Sequence, residues 1–296
     1  MKKFLSIVLA AVMSAALGAC GSTAAPDTSS EANVSSEASE VTSEESSSES
    51  SEPASEEAAE TDLPETFVLG LDASFPPMGF TDQNNEIIGV DIDIAKAVCE
   101  KLGMQFEAKP IDWASKEMEL NTGKISCIWN GLTITDDRKE AFELSRSYMT
   151  NDQVVVVMNN SEIQSKADLA GKIVAAQSDS SGLEALQKDE IYSEIKDGAA
   201  KEYADYVTAM GDLELGRCDA IVMDSVVANY YISANAKEMR VLEDTMSEEE
   251  YGIAFKKGDT ALLEAVETAI SELAEEGKIA EISQKWFGKD DQIVTY

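Results

Sequence analysis

An α/β fold built on doubly wound, mostly parallel sheets is predicted by three observations. Strand-like and helix-like segments alternate from Phe67 onward, two long β runs interrupt that alternation, and roughly 234 residues follow a low-complexity leader, enough for one large domain or two modest lobes. The first strand is 67–71, Phe-Val-Leu-Gly-Leu, which runs into a loop bearing Pro76 and Pro77. A helix from about Asp91 follows, with apolar Ile92, Ala95, Val98, Cys99 and Leu102 on one face and Gly103 as its C-terminal stop. Short strands near 105–108 and 125–129 flank a helix containing 114–120. A second series places strands at 172–176 and 220–223 around helices at 182–187 and 206–215. Between the two series lies 152–157, Asp-Gln-Val-Val-Val-Val, and a return strand at 251–255 precedes the last helices. Two such strands crossing between lobes make the second lobe an insertion into the first. A single continuous sheet fits the same pattern equally well.

The leader has its own logic. Lys2 and Lys3 precede an apolar run at 4–17, the charged and hydrophobic parts of a secretory signal, and that run is too short to span a bilayer. Its end, Leu17-Gly18-Ala19-Cys20, resembles a bacterial lipobox, in which the cysteine is acylated and becomes the new N-terminus; an ordinary cleaved signal with an incidental cysteine is the plainer alternative. Residues 21–62 are nearly all Ser, Glu, Ala and Thr, with no Lys, Arg or aromatic side chain, so they cannot bury a core and are expected to form a disordered tether. The expected product is anchored at Cys20 to the outer face of the cytoplasmic membrane.

Charge and residue usage exclude several function classes. The formal net charge is −34, and the tether holds twelve of the 57 acids, so the folded part is acidic in its own right. Nucleic-acid binding, which depends on Lys and Arg neutralising phosphates, is therefore not expected; the acidity reads first as solubility. No histidine occurs anywhere, which removes Ser-His and Cys-His nucleophiles and the commonest transition-metal ligand. No metal or cofactor is predicted. Cys99, Cys127 and Cys218 match neither a zinc pair nor a CxxC motif, and their positions on apolar faces suggest buried thiols, with one disulfide open in an oxidising compartment.

Six segments occur in an order that resembles the polar amino-acid family of extracytoplasmic solute-binding proteins served by ABC importers. They are Asp72-Ala73-Ser74-Phe75-Pro76-Pro77, Gly89-Val90-Asp91-Ile92-Asp93, the stretch from Gly131 to Arg138, the stretch from Gly216 to Asp224, Tyr251-Gly252-Ile253-Ala254-Phe255, and Lys285-Trp286-Phe287-Gly288. The resemblance implies a two-lobed periplasmic-binding-protein-like (type II) fold, with two doubly wound sheets joined by two hinge strands and a ligand in the cleft. Lobe 1 is then 63–151 plus 252–296, and lobe 2 is 152–251.

The resemblance also assigns the cleft. Arg138 matches the arginine that grips the ligand carboxylate, a role suited to a guanidinium whose fork donates two parallel hydrogen bonds and stays charged; alone, it reads as a solvated charge opening the following helix. Thr133, in the same loop, adds a hydroxyl or N–H donor, and Asn130 and Gly131 precede it. Ser180 and Ser181 come before a helix predicted to open at Gly182, where backbone N–H groups converge on an anion, and they read equally as a plain N-cap. Asp179 stands where the family usually has glycine. Asp224, at the end of an apolar strand, matches the aspartate that accepts the ligand ammonium and, in isolation, reads as a helix cap. One zwitterion then bridges Arg138 and Asp224 from opposite lobes. Phe75 matches an aromatic that packs on the ligand, and Asp72 is placed to accept from a cationic or amide side chain, or only to cap the turn before Pro76. Trp129 reads as core, while Trp113 and Glu117 are further candidates for the cleft wall.

The expectation is an amino-acid-binding component of an ABC importer, with a basic amino acid favoured and glutamine or cystine next, acting as a monomer whose closed form docks on permease subunits. A sensory or chemotactic binding protein uses the same residues with a different partner. A hydro-lyase on this fold is the third class and needs paired acids such as Asp72 and Glu117 as general acid and base.

Overall fold

The computed structural model describes residues 63–234 and 238–293. Cys20, the signal and the tether lie outside the described residues, and no described helix is long and apolar enough to cross a membrane.

Strand β1 (Thr66–Leu71) is followed by a small antiparallel sheet of β2 (Ser74–Phe75), β3 (Gly79–Thr81) and β4 (Ile87–Ile88), which the sequence pattern did not reveal because its strands are only two or three residues long. Helix α1 (Val90–Leu102) ends as expected at Gly103, a left-handed residue (φ 71°) whose N–H returns to Cys99 and Glu100. Strand β5 (Gln105–Pro110), a 3₁₀ turn at Trp113–Ser115, helix α2 (Lys116–Asn121), strand β6 (Cys127–Thr133), helix α3 (Asp136–Ala141) and strand β7 (Glu143–Leu144) complete the first stretch of chain. β1 pairs in parallel with both β5 and β6.

Strand β8 (Met149–Met158) begins the second stretch, which contains β9 (Val174–Gln177), α4 (Ser181–Lys188), β10 (Lys201–Tyr203), α5 (Tyr206–Glu214), β11 (Ala220–Asp224) and α6 (Ser225–Ala234). β9 pairs in parallel with β10 and β11, and β11 is antiparallel to β8. The return strand β12 (Met239–Phe255) has 17 residues rather than the five read from sequence, and α7 (Thr260–Glu275) and α8 (Lys278–Phe287) close the chain. At ~3.3 Å per residue, a strand of that length reaches about 55 Å, enough to serve two sheets. Its first part runs antiparallel to β8, with Met239 opposite Met158 and Glu249 opposite Asn151, through register shifts around Thr245. Its last part, Tyr251 to Phe255, pairs with β6.

The fold is two-lobed α/β, and the two long strands expected to link the lobes are β8 and β12. The continuous sheet left open by the sequence is also observed, since the ladder runs unbroken in the order β10-β9-β11-β8-β12-β6-β1-β5. Side-chain alternation explains the four-valine run. Val154 and Val156 face one hydrophobic cluster while Val155 and Val157 face another, so both faces of β8 are covered and no polar side is needed. β11 repeats this, with Ile221 and Met223 on one side and Ala220 and Val222 on the other. Cys99, Cys127 and Cys218 are free buried thiols, and burial pushes the Cys99 thiol up to about 12. Trp129 is fully buried in the core, as read from sequence.

Candidate functional site

At the carboxyl ends of β1, β9 and β11, where doubly wound sheets place ligands, the side chains converge on one small cavity. All nine residues expected in the cleft line it, namely Asp72, Phe75, Asn130, Gly131, Thr133, Arg138, Ser180, Ser181 and Asp224, together with Trp113 and Gln177. Glu117 is exposed on α2 and does not belong to the wall. Its neighbour Lys116 turns inward instead.

The arginine end is built on β6 and α3. Thr135 caps α3 by accepting from the Arg138 N–H, and the Arg138 guanidinium donates to the Thr133 carbonyl at 2.8 Å. Burial lowers the guanidinium pKa, opposed by the negative charges of Glu249, Asp179, Glu184 and Asp224. Thr133 Oγ1 donates to Ser181 Oγ at 2.9 Å, a direct contact between the first and second stretches of chain. Helix α4 begins at Ser181, one residue earlier than expected, and Ser180 is its N-cap, accepting from the Leu183 N–H at 3.1 Å. The capping reading of Ser180 is therefore correct, and it leaves Ser181 in the first turn facing the cavity.

Gly131 is closely enclosed in β6. Its φ is 62°, and a Cβ there would lie 2.9 Å from the Phe75 ring and 3.0 Å from Tyr251, so only glycine fits both the backbone and the space. Behind it, its N–H donates to Asp91 Oδ2 at 2.9 Å. Asp91 is wholly buried in the first turn of α1, and burial pushes its carboxyl up to about 7 against the pull of Tyr148, the Gly131 amide and Trp129.

Asp224 ends β11 and is 3% exposed. It accepts from Tyr251 OH at 2.6 Å, Asn151 Nδ2 at 3.0 Å and Tyr206 OH at 3.1 Å. The N–H of Val226 in α6 goes to Asn151 Oδ1, so the Asp224 carboxylate is directed at the tyrosines and not at its own helix. Burial and the charge of Glu249 raise its pKa well above the ordinary carboxylate range.

Asp72 lies at the opposite end. Its backbone N–H donates to Asn130 Oδ1 at 3.0 Å, and its carboxylate accepts from the Ser74 N–H at 2.9 Å, which is the turn-capping role considered from sequence. The second oxygen accepts from Gln177 Nε2 at 2.8 Å, across the cavity. Burial raises the Asp72 pKa, while the Ser74 and Gln177 hydrogen bonds lower it.

Sequence reasoning missed Gln177 and Lys116. Lys116 is 2% exposed, and its ammonium pairs with the Asp179 carboxylate, accepted also by Asp179 O at 3.1 Å, and lies 5.1 Å from the Trp113 ring centre. Burial lowers its pKa, and Asp179 opposes that. The spacing Trp113, Lys116, Leu120, at three and four residues, was the available signal, because all three are buried on one side of the turn and helix. Asp179 adopts φ 57°, a left-handed conformation consistent with the glycine expected there.

Residues 67–289 match the family model of bacterial extracellular solute-binding proteins, family 3. The chain belongs to that family. This binding protein is 29% identical over 227 residues to the L-cystine-binding protein TcyJ of Escherichia coli (strain K12), covering 76% of this chain and 84% of TcyJ. Among solved structures it is similar to an ABC uptake transporter substrate binding protein from Streptococcus pneumoniae with bound histidine, with a TM-score of 0.74, 39% identity, and coverage of 76% of this chain and 94% of that one. It is also similar to Tv2483 bound to L-arginine, with a TM-score of 0.73 and 32% identity over 78% of this chain and 93% of that one. The binding protein thus shares both sequence and shape with proteins whose recorded ligands are amino acids.

Proposed function

We propose that this chain captures a polar L-amino acid between its lobes and presents it to the permease of an ABC importer. The observation that carries the reading is the pairing of opposite charges across one cavity: Arg138, reaching in from α3, and Asp224, at the end of β11, both line it. A free amino acid brings a carboxylate and an ammonium that must both be paired when water is excluded, and this wall offers a partner for each. Thr133 and Ser181 add hydroxyl donors at the carboxylate end. Phe75 and Trp113 supply the apolar wall.

The lobes are 63–151 with 252–296, and 152–251. A ligand that touches both stabilises the closed form more than the open form, and that difference is what the permease reads. Selectivity rests on Asp72 and Gln177. A buried acid beside an amide accepts from a guanidinium or ammonium side chain, which favours a basic amino acid, with glutamine and cystine next. Binding requires no catalytic step, so the protein is not an enzyme. It works as a monomer, tethered by residues 21–62 to a lipid on Cys20 at the outer face of the cytoplasmic membrane.

A thermal-shift screen of the purified protein against the amino acids tests the core of this reading, because a specific ligand raises the melting temperature with concentration. The expected result is a concentration-dependent rise with one or a few polar amino acids. A flat response to all of them contradicts it. Recovery of a Cys20→Ala variant in the soluble fraction supports the anchor, and its retention in the membrane fraction overturns it.

A further inference from the structure

Resting on the reading of this cleft as an amino-acid site, we infer that Glu249 is a second carboxylate of its ammonium end, sharing one proton with Asp224 and releasing it when the ligand ammonium arrives. Glu249 lies on β12 two residues before Tyr251, so both project from the same face of the strand. Tyr251 OH bonds Asp224 at 2.6 Å, so that face of the strand lies against the carboxylate that lines the cavity. Opposite Glu249 in register stands Asn151, whose Nδ2 donates to Glu249 Oε1 at 2.6 Å and to Asp224 Oδ1 at 3.0 Å. One amide nitrogen thus holds both carboxylates, making them near neighbours.

A second amide, Gln153, ties the pair to the arginine end. It is fully buried, its Nε2 donates to Glu249 at 2.9 Å and to Ser181 Oγ at 3.2 Å, and its Oε1 has no partner among the described residues. Around the two acids stand Tyr206 from α5, Tyr251 from β12, Asn151 and Gln153 from β8, and Arg138 from α3, whose guanidinium donates to the Thr133 carbonyl. Asp152, Glu248 and Glu250 alternate to the opposite faces of β8 and β12. Among the described residues neither Asp224 nor Glu249 makes an ion pair.

Two carboxylates held by one amide nitrogen resist ionising together, and the nearby Arg138 guanidinium, which feels the charge of both, donates to the Thr133 carbonyl and makes no ion pair with either. Burial and Glu249 together raise the Asp224 pKa. An ammonium group arriving at Asp224 supplies a second cation. The pair then loses one proton to bulk buffer while the ligand keeps all of its own, and the site passes from one negative charge to two against one incoming positive charge. Glu249 is partly exposed, so the proton has a path to solvent.

The test is calorimetry on the full-length protein, titrated with whichever of L-arginine, L-lysine, L-glutamine or L-cystine gives the largest thermal shift, since none of these changes side-chain charge between about pH 5.5 and 7.5. Buffers of different ionisation enthalpy report the protons released. The expected result is release of about one proton per amino acid at the acid end of that range, with affinity rising up to ~10-fold per pH unit until the pair is ionised. In Glu249→Gln, binding is weakened but measurable, proton release falls and the affinity depends less steeply on pH. Equal enthalpies in all buffers, or undiminished release in Glu249→Gln, overturns the inference while leaving the amino-acid site standing. No thermal shift with any of the four removes the ligand on which it rests.

Discussion

The two ends of the cavity are assembled differently. At the arginine end, Thr133 and Arg138 lie five residues apart on one strand and the helix after it, and Arg138 is held by its neighbour's carbonyl and by the Thr135 cap. At the far end, Asp72 and Gln177 are separated by more than a hundred residues and hold each other across the cleft at 2.8 Å. The first end is organised within a single stretch of chain, before the lobes meet. The second is completed only where two distant stretches of chain meet, and a ligand side chain entering there must replace the Asp72–Gln177 hydrogen bond with one at least as good. On the proposed reading, the arginine end governs whether an amino acid binds and the Asp72 end governs which one.

The largest expected effect breaks the first half of that comparison. Arg138→Ala or Asp224→Ala each leaves one ligand charge buried without its partner, which typically costs ~2–5 kcal/mol, so calorimetry is expected to show affinity falling by roughly 30-fold or more while the variant remains folded. Unchanged affinity in either variant removes that residue from the site.

A smaller, selective effect is expected from Asp72→Asn. It leaves the hydrogen-bonding shape and removes the charge, so a cationic amino acid is weakened by ~10-fold or more and glutamine much less. A competition assay that shows both ligands weakened equally assigns Asp72 to turn capping through Ser74 alone.

These contrasts also explain what was legible in the sequence. Arg138, Thr133 and Asp224 were assigned to the cleft by their places in segments that resemble the family in order; read alone, Arg138 was a solvated charge and Asp224 a helix cap, and the Ser180–Ser181 pair read equally as an N-cap. Gln177 was not legible, because nothing near it announces that the Tyr203 and Ala204 segment will turn it toward Asp72. The valine run of β8 was legible as a strand from four β-branched residues in a row, with both faces covered. Residues 239–250 of β12 were not, because their acids and their register shifts around Thr245 lack the alternation of a buried strand. Lys116 was hidden by type: a lysine is rarely wholly buried, and Glu117 beside it was the more conventional candidate.

Support behind the arginine end offers a third prediction, on stability. The Asp91 carboxyl, ordinarily near 3.8, is raised to about 7 in the folded protein. Between those values the unfolded chain has lost a proton that the folded chain keeps, so Asp91 makes folding less favourable as pH rises from about 4 to 7, and its contribution levels off above that. Urea melts across this range are expected to show Asp91→Asn losing that downward slope. An Asp91→Asn protein with the same pH profile as the parent contradicts a protonated Asp91.

The smallest expected effect concerns closure itself. Lys116 spans the cleft to reach Asp179, which is more than half exposed, so solvent screens the pair and its worth is modest, on the order of 1 kcal/mol or less. Lys116→Met keeps the buried stem and removes the charge. Small-angle scattering is expected to show a slightly larger radius of gyration, from a shift toward open forms. An identical profile means that the Thr133–Ser181 and Asp72–Gln177 contacts hold the lobes without Lys116.

The central claim is that one zwitterion bridges Arg138 and Asp224, and the direct measurement compares an amino acid with its methyl ester, which keeps the ammonium and side chain but lacks the carboxylate charge. With the amino acid that shifts melting most, the account predicts that the ester binds the parent protein ~100-fold or more weakly, and that Arg138→Ala binds ester and free acid alike. An ester that binds the parent protein as tightly as the free amino acid contradicts it.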